Sequence, residues 1–351
     1  MSAPRSSARH AGPRIAGVDI ARGFAILGMF VAHAIPRVDD AELFVDGRSS
    51  ILFATLAGVS LGIMTGLERP LERGRRTDRI ASIVLRALIL LLLGATLGLL
   101  GSEVAVILDY YASRYLLWTP TLFIPRWVLA ALAGLLAVAS PALALLAAEA
   151  SPTGRERVDL VLHYLLIGDY PALVWLPFLL AGLLAARSGL GRPRTQLWMV
   201  AAGALAAVLG YGAAALLPGV TAEAHSGSTA EVLGSGGVAI AVIGALLWLT
   251  APERAGIGRT LAAVLRPIGA AGSMALTLYT LQILTLAVFA GLREASGGAI
   301  AYPGWPLLIG LTLTSLLFAS LWRRFLGTGP LERVLALTTR APGSAGREPG
   351  R

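Results

Sequence analysis

The stretch RIAGVDIARGFAILGMFVAH, residues 14–33, decides how the rest of the chain is read. It is long enough to cross a bilayer, since roughly 20 residues at a rise of about 1.5 Å cover the hydrocarbon core of about 30 Å. Three polar side chains interrupt it: Asp19, Arg22 and His33. On a helix the three share a face about 60° wide, with His33 about 21 Å further along the axis than Asp19. An ionised group deep in a bilayer costs about 2.5–3.5 kcal/mol, so such groups face the protein interior and are paired or functional. The stretch therefore reads as a membrane span with an i,i+3 ion pair near one end and an imidazole near the other. Arginines ahead of an apolar run that ends in Ala32-His33-Ala34 also have the outline of a cleavable signal peptide. The internal charges and the apolar segments that follow argue against cleavage.

Working outward, the whole chain has this character. Of its 351 residues 56% are hydrophobic and only 14% charged, against about 25% charged in soluble domains. That composition excludes a soluble enzyme, a disordered chain and a secreted disulfide scaffold. There is no cysteine, hence no thiol nucleophile or thiolate metal site, and no lysine, hence no Schiff-base chemistry. The expected fold is an all-α, polytopic transmembrane bundle of about ten spans. They lie near 16–36, 49–67, 80–100, 104–122, 127–148, 170–186, 196–217, 232–250, 267–291 and 304–322. With the N-terminus inside, 21 of the 29 arginines fall in inner segments and five in outer loops. That asymmetry puts both termini in the cytoplasm. Trp127, Trp198, Trp248, Trp305 and Trp322 fall near span ends, as an interfacial belt requires. The organisation is a tail at 1–13, one membrane domain at 14–326 and a C-terminal tail at 327–351, with no internal repeat.

Several polar groups besides the first span stand out. Arg75, Arg76, Asp78 and Arg79 precede the third span, and Arg86 lies within it on the face of Arg79. Guanidinium forks suit phosphate, so Arg76, Arg79 and Arg86 are candidates for a phosphorylated cytoplasmic ligand; positive-inside anchoring is the plainer reading. The fourth span holds Asp109 and Arg114, which point to different neighbours; Asp109 is a candidate partner for Arg22 or Arg86. In the ninth, Ser273, Thr277 and Thr280 form a small polar edge suited to close helix packing, and Gln282 is its most site-like member. On the outer side stand Asp39, Asp40, Glu42, Asp46, Arg48 and His225. None of the histidines and acids has metal-ligand spacing, so no metal is expected.

Residues 14–29 followed by His33 resemble the first span of the transmembrane acyltransferases, the superfamily of the heparan-α-glucosaminide N-acetyltransferases and the acyltransferase-3 proteins. Residues 46–61, Tyr170 to Pro177, the His225-Ser226-Gly227 loop, Met274 to Thr277 and Gly329 to Glu332 resemble later blocks of the same superfamily, in the same order. The resemblance implies an enzyme that takes an acyl group, often acetyl, from cytoplasmic acyl-coenzyme A and delivers it to a sugar hydroxyl or amine on the opposite face. It implies His33 as catalytic base or acyl carrier. It implies that Arg76-Thr77-Asp78-Arg79 is the Arg-x-x-Arg element serving the donor. In the heparan branch the histidine lies in the loop after the first span, and residues 37–48 contain none.

The expected function is thus acyl transfer from acetyl-coenzyme A across a bacterial plasma membrane, with Asp19, Arg22, Asp109, Arg114 and Gln282 shaping the tunnel. Asp46, Arg48 and His225 would meet the acceptor. The expected partners are the lipid bilayer and a glycan or small-molecule acceptor, with no nucleic acid and a homodimer as a candidate assembly. The alternative is a transporter or flippase of a small anion or lipid, which would use the same intramembrane charges.

Overall fold

The structure is a computed structural model and describes residues 14–36, 42–108, 119–152, 154–168, 170–252, 254 and 256–339. These residues form an all-helical bundle. Its first helices are α1 (Ala16–Ala34), α2 (Arg48–Met64), α3 (Arg73–Gly98) and α4 (Arg126–Ala150). A short α5 (Glu156–Leu162) runs into a π turn, His163–Ile167, followed by α6 (Ala172–Ser188), α7 (Pro193–Leu216) and α8 (Thr229–Leu249). The last five are α9 (Ile257–Val264), α10 (Arg266–Gly272), α11 (Ala275–Ala295), α12 (Trp305–Phe325) and α13 (Pro330–Thr338). Eight helical segments are long and apolar enough to span a membrane, and α2 is a shorter apolar helix. The chain is a multi-pass membrane protein.

Nine of the expected spans appear as helices. The core of the fourth, with Asp109 and Arg114, lies outside the described residues, between a buried turn ending at Leu108 and a 3₁₀ turn, Thr119–Phe123. The ninth differs from expectation, because it is two helices: α10 ends at Gly272 and α11 begins at Ala275. Pro267 sits in the first turn of α10, where its missing N–H costs nothing. At the break, the Ser273 hydroxyl bonds back to the Ala270 carbonyl at 2.7 Å. The C-terminal boundary also moves. Residues 330–338 are not part of a free tail: α13 packs against α11, and Ser82 of α3 bonds the Thr339 carbonyl at 2.7 Å.

Burial orders the bundle. The spanning window of α1 is 61% buried, and α1 packs against α2, α8, α10 and α12. The α2–α6 and α7–α8 pairs pack most closely of all, through small residues. A Cβ on Gly182 of α6 would run into the Thr55 carbonyl of α2, and one on Gly210 of α7 into the Ala230 carbonyl and the Gly234 amide of α8. Such close approach is how helices associate in lipid, where apolar side chains gain little by meeting each other. α3 and α11 touch only sparsely. The long leucine faces of α3, α4, α7 and α12 point outward, with Leu92, Leu145, Val208 and Leu313 exposed to the lipid.

Candidate functional site: two polar cavities on one seam

The sparse seam between α1 and α11 holds a cavity at each end. The inner one, on the arginine-rich side, has a volume of about 290 Å³. Its polar lining is Arg22, Ser60, Arg86, Ser273, Tyr279 and Glu332. The outer one is about 500 Å³ and includes His33, Ser102, Glu103, Tyr170, Arg293 and Tyr302. One face of α11 runs between them. Leu276 and Tyr279 line the inner cavity, Gln282 follows one turn on, and Leu286, Ala290 and Arg293 line the outer cavity. Tyr279 and Gln282, both essentially fully buried, lie between the two cavities. The Ile107 amide donates to the Tyr279 hydroxyl at 3.0 Å and fixes that ring.

The ion pair expected in the first span is present. Arg22 Nη1 lies 3.1 Å from Asp19 Oδ1, and Nη2 donates to Ser60 Oγ of α2 at 2.8 Å. Ser60 in turn donates to the Leu56 carbonyl. Arg22 faces the cavity with Arg86, whereas Asp19 lines a separate inner cleft of about 430 Å³ with Arg259, Arg266 and Arg323. The carboxylate thus anchors the guanidinium from outside the cavity. Glu332, from α13, accepts from the Thr277 amide at 3.1 Å and the Thr277 hydroxyl at 2.6 Å. It caps the start of α11, the end at which a helix favours negative charge.

At the outer end, Gln282 settles the state of His33. Gln282 Nε2 donates to the Met29 carbonyl at 3.0 Å and lies 2.8 Å from His33 Nδ1. A carbonyl only accepts, so the amide nitrogen belongs at that position, and its second hydrogen is directed to Nδ1. Nδ1 must therefore accept, and a neutral imidazole then carries its proton on Nε2. The Tyr302 hydroxyl donates to the His33 carbonyl at 2.6 Å. Burial, with Arg293 opposing and Glu103 adding, holds the Tyr302 phenol above its usual range, so it stays a donor.

The other expected site residues are placed less centrally. Arg76 donates to the Leu71 carbonyl at 2.8 Å and stacks on Phe123 with its guanidinium 4.5 Å from the ring centre, while Arg79 is exposed. Of that group only Arg86 lines the inner cavity, where it is joined by Arg22; Arg76 and Arg79 lie outside it. Asp46 and Arg48 are not on the outer cavity either. Asp46 accepts from the Leu43 amide at 2.9 Å, and Arg48 donates to the Tyr211 hydroxyl at 2.7 Å, tying α2 to α7. These two hold the outer turn. His225 is one layer back: its ring meets Tyr170 edge-on at 5.4 Å and stacks on Trp175 at 6.3 Å. Among the described residues no three metal-ligating side chains converge.

Residues the sequence did not single out include Tyr279, Glu103 and Tyr302. Glu332 entered only as the end of the Gly329 to Glu332 block, with no role. Arg293 had one signal, as one of few outer arginines. Tyr302 had none. Arg187, buried at 5% exposure, also escaped; it donates to Thr65, Leu67 and the Leu122 carbonyl and staples the inner loops.

Fold and site together define a multi-pass helical membrane protein with a cavity at either end of one helix seam, the inner one mainly apolar with Arg22 and Arg86 on its wall. Residues 182–341, somewhat under half of the chain, are similar to a family described as "Protein of unknown function (DUF418)". No curated protein matches the chain. The matched segment supplies Ser273, Tyr279 and Glu332 of the inner cavity and Arg293 and Tyr302 of the outer one; Arg22, His33 and Arg86 come from the half outside it.

Proposed function

We propose that this protein is a membrane-embedded acyltransferase of a bacterial plasma membrane. It passes an acyl group, acetyl in the simplest case, from cytoplasmic acyl-coenzyme A to a hydroxyl or amine of a glycan or small molecule at the outer face. The observation that carries the reading is the pair of cavities aligned on one seam, with two arginines at the inner end and a histidine held by Gln282 at the outer. The sequence resemblance of the first span points the same way.

The inner cavity, at about 290 Å³, is at the low end for drug-sized ligands. It suits a pantetheine-like arm or an acyl group, with the nucleotide left at the cytoplasmic mouth among the arginines of that face. Arg22 and Arg86 offer charge-assisted bonds to carbonyl or phosphate oxygens. In the transfer, the acceptor oxygen or nitrogen bonds to the thioester carbonyl carbon, the carbon–sulfur bond breaks, and the acceptor's proton ends on the thiol. With Nδ1 accepting from Gln282, His33 enters this step as an Nε2–H donor able to polarise the carbonyl oxygen. For His33 to serve as base or acyl carrier, Nε2 must first lose that proton, which requires Gln282 to release Nδ1.

A second reading, a transporter of a small anion, draws on two observations: fully buried Tyr279 and Gln282 lie between the two cavities, and the α10–α11 helix is discontinuous. One experiment separates the two. Purified protein is titrated with acetyl-coenzyme A and coenzyme A, as wild type, Arg86→Gln and His33→Ala. The acyltransferase reading expects saturable binding, weakened by Arg86→Gln and retained by His33→Ala, with turnover lost in the latter. Absence of binding at millimolar ligand sinks it and puts the transporter first.

A further inference from the structure

We infer that the inner cleft beside Asp19 binds the headgroup of an anionic phospholipid of the cytoplasmic leaflet, with Arg259, Arg266 and Arg323 as its charge partners. This goes beyond acyl transfer and does not rest on it.

The cleft, of about 430 Å³, shares no lining residue with the inner cavity. It is walled by α1, α9, α10 and α12, and it takes in their inner ends. Ala16 opens α1, Arg266 opens α10 and Arg323 stands in the last turn of α12. The cleft therefore sits at the cytoplasmic interface rather than in the hydrocarbon core. Helix α9, with eight residues, is about 12 Å long and too short to cross a bilayer. Val264 at its end is exposed, as on a helix that lies in the interface.

Three arginines here do more than mark the inner side. Anchoring asks only for cations near the ends of spans. These three come from three separate helices and share the wall of one concavity. Arg259 and Arg266 are exposed, and their guanidinium groups have no ion pair or hydrogen bond among the described residues. Arg323 Nη1 donates to the Gly269 carbonyl at 3.1 Å, which ties it to α10 without exhausting its donors. The lining holds one acid, Asp19, which is buried and paired with Arg22. The charge left over is that of the three guanidinium groups.

The rest of the lining decides the kind of anion. Apart from the arginines and Asp19 it is alanine, glycine and Ile20. Guanidinium forks match a phosphate. An apolar floor beside them suits the glycerol and first methylenes of a lipid, and offers nothing to a fully hydrated free anion. A zwitterionic headgroup would bring its own cation among three others, whereas an anionic one brings none.

The test uses the full chain in detergent, without any acyl donor. It is titrated with phosphatidylglycerol and with phosphatidylcholine of the same acyl chains, and bound lipid is counted by native mass spectrometry. Phosphatidylglycerol is expected to bind about tenfold tighter. Arg259→Gln/Arg266→Gln should erase most of that preference, and Arg259→Lys/Arg266→Lys should keep part of it. Arg73→Gln/Arg75→Gln removes the same charge from exposed residues on the same side of the protein and should leave the preference intact. Thermal unfolding shows that each variant is folded, and phosphatidylglycerol should raise the midpoint of the wild type more than that of Arg259→Gln/Arg266→Gln. Equal binding of the two lipids overturns the inference. So does a preference that survives in folded Arg259→Gln/Arg266→Gln, or one that Arg73→Gln/Arg75→Gln lowers as much. Inorganic phosphate and coenzyme A serve as soluble competitors. Binding that persists in their presence supports a lipid, and displacement at concentrations equal to the lipid's would assign the cleft to a soluble phosphate ligand and overturn the inference. Neither lipid result bears on acyl transfer, and a failure to bind acetyl-coenzyme A would leave the cleft as it stands.

Discussion

The α7–α8 hairpin and the α1–α11 seam are both helix contacts inside one membrane protein, and they are built in opposite ways. Along α7 and α8, Gly203, Gly210, Gly234 and Gly237 remove side chains from the contact, and the backbones meet directly. Only 17% of the α7 window is buried, yet this pair packs more closely than any other in the bundle. Along the seam, α1 is the most enclosed of the long helices that begin the bundle, but it meets α11 sparsely, because Arg22, Gln282, Tyr279 and Arg293 stand between the helices. In lipid, close contact comes from small residues, and separation comes from large polar ones that need partners. The hairpin spends its interface on stability, whereas the seam leaves volume in which a ligand can sit.

The sharpest break of this contrast is Gly210→Leu. The new side chain would collide with the α8 backbone, and overpacking of this kind costs about 1–3 kcal/mol or more. We expect loss of monodisperse protein or a large drop in thermal midpoint. A comparably large residue on the α2 wall of the inner cavity, Ala57→Leu, should be tolerated far better; equal damage from both would show that the cavity wall is packed as tightly as the hairpin.

Arg22→Ala comes next. It leaves the Asp19 carboxylate, 7% exposed, without its partner. Removing one member of a buried pair is costly, and with Arg22 partly open to the cavity the loss should be about 2 kcal/mol. The double variant Asp19→Ala/Arg22→Ala should recover part of it. A double variant as unstable as the sum of the singles would mean that the pair is not coupled.

The most informative change chemically is Gln282→Glu, although an ionised side chain at this fully buried position also costs stability. A carboxylate at this position can only accept, so it should draw the imidazole proton to Nδ1. Nitrogen NMR of labelled histidine, with four histidines in the chain, reads the tautomer directly. Wild-type His33 should show Nε2–H and the variant Nδ1–H; an Nδ1–H signal in the wild type would refute the assignment made from Gln282 and Met29.

Much of the fold was legible because bilayer thickness imposes a length on every apolar run. Seven of the spans could be bracketed to within three residues by that rule alone, while α3 begins seven residues earlier than expected and the ninth is broken. The Asp19–Arg22 pair was legible because an i,i+3 relation lies within one helix. The α10–α11 break was missed, since Gly and Ser are common inside packed membrane helices and do not by themselves mark an end. α13 was taken for tail because nine residues with arginine and glutamate carry no membrane signal. Which of the arginines lines the inner cavity was hidden for a related reason. Arg79 and Arg86 share a helix face, but α3 emerges from the bundle between them, leaving one exposed and one on the cavity.

By itself the sequence determined that this is an all-helical, multi-pass membrane protein with a charged, histidine-bearing first span. Those properties follow from composition and from periodicity within single helices. Only the tertiary structure decided which polar groups meet: Arg22 with Arg86 and Glu332 at one end of the seam, His33 with Gln282, Tyr302 and Arg293 at the other. Those encounters join residues up to several hundred positions apart. They depend on where small residues let helices close and where large polar ones hold them open, which no local pattern records.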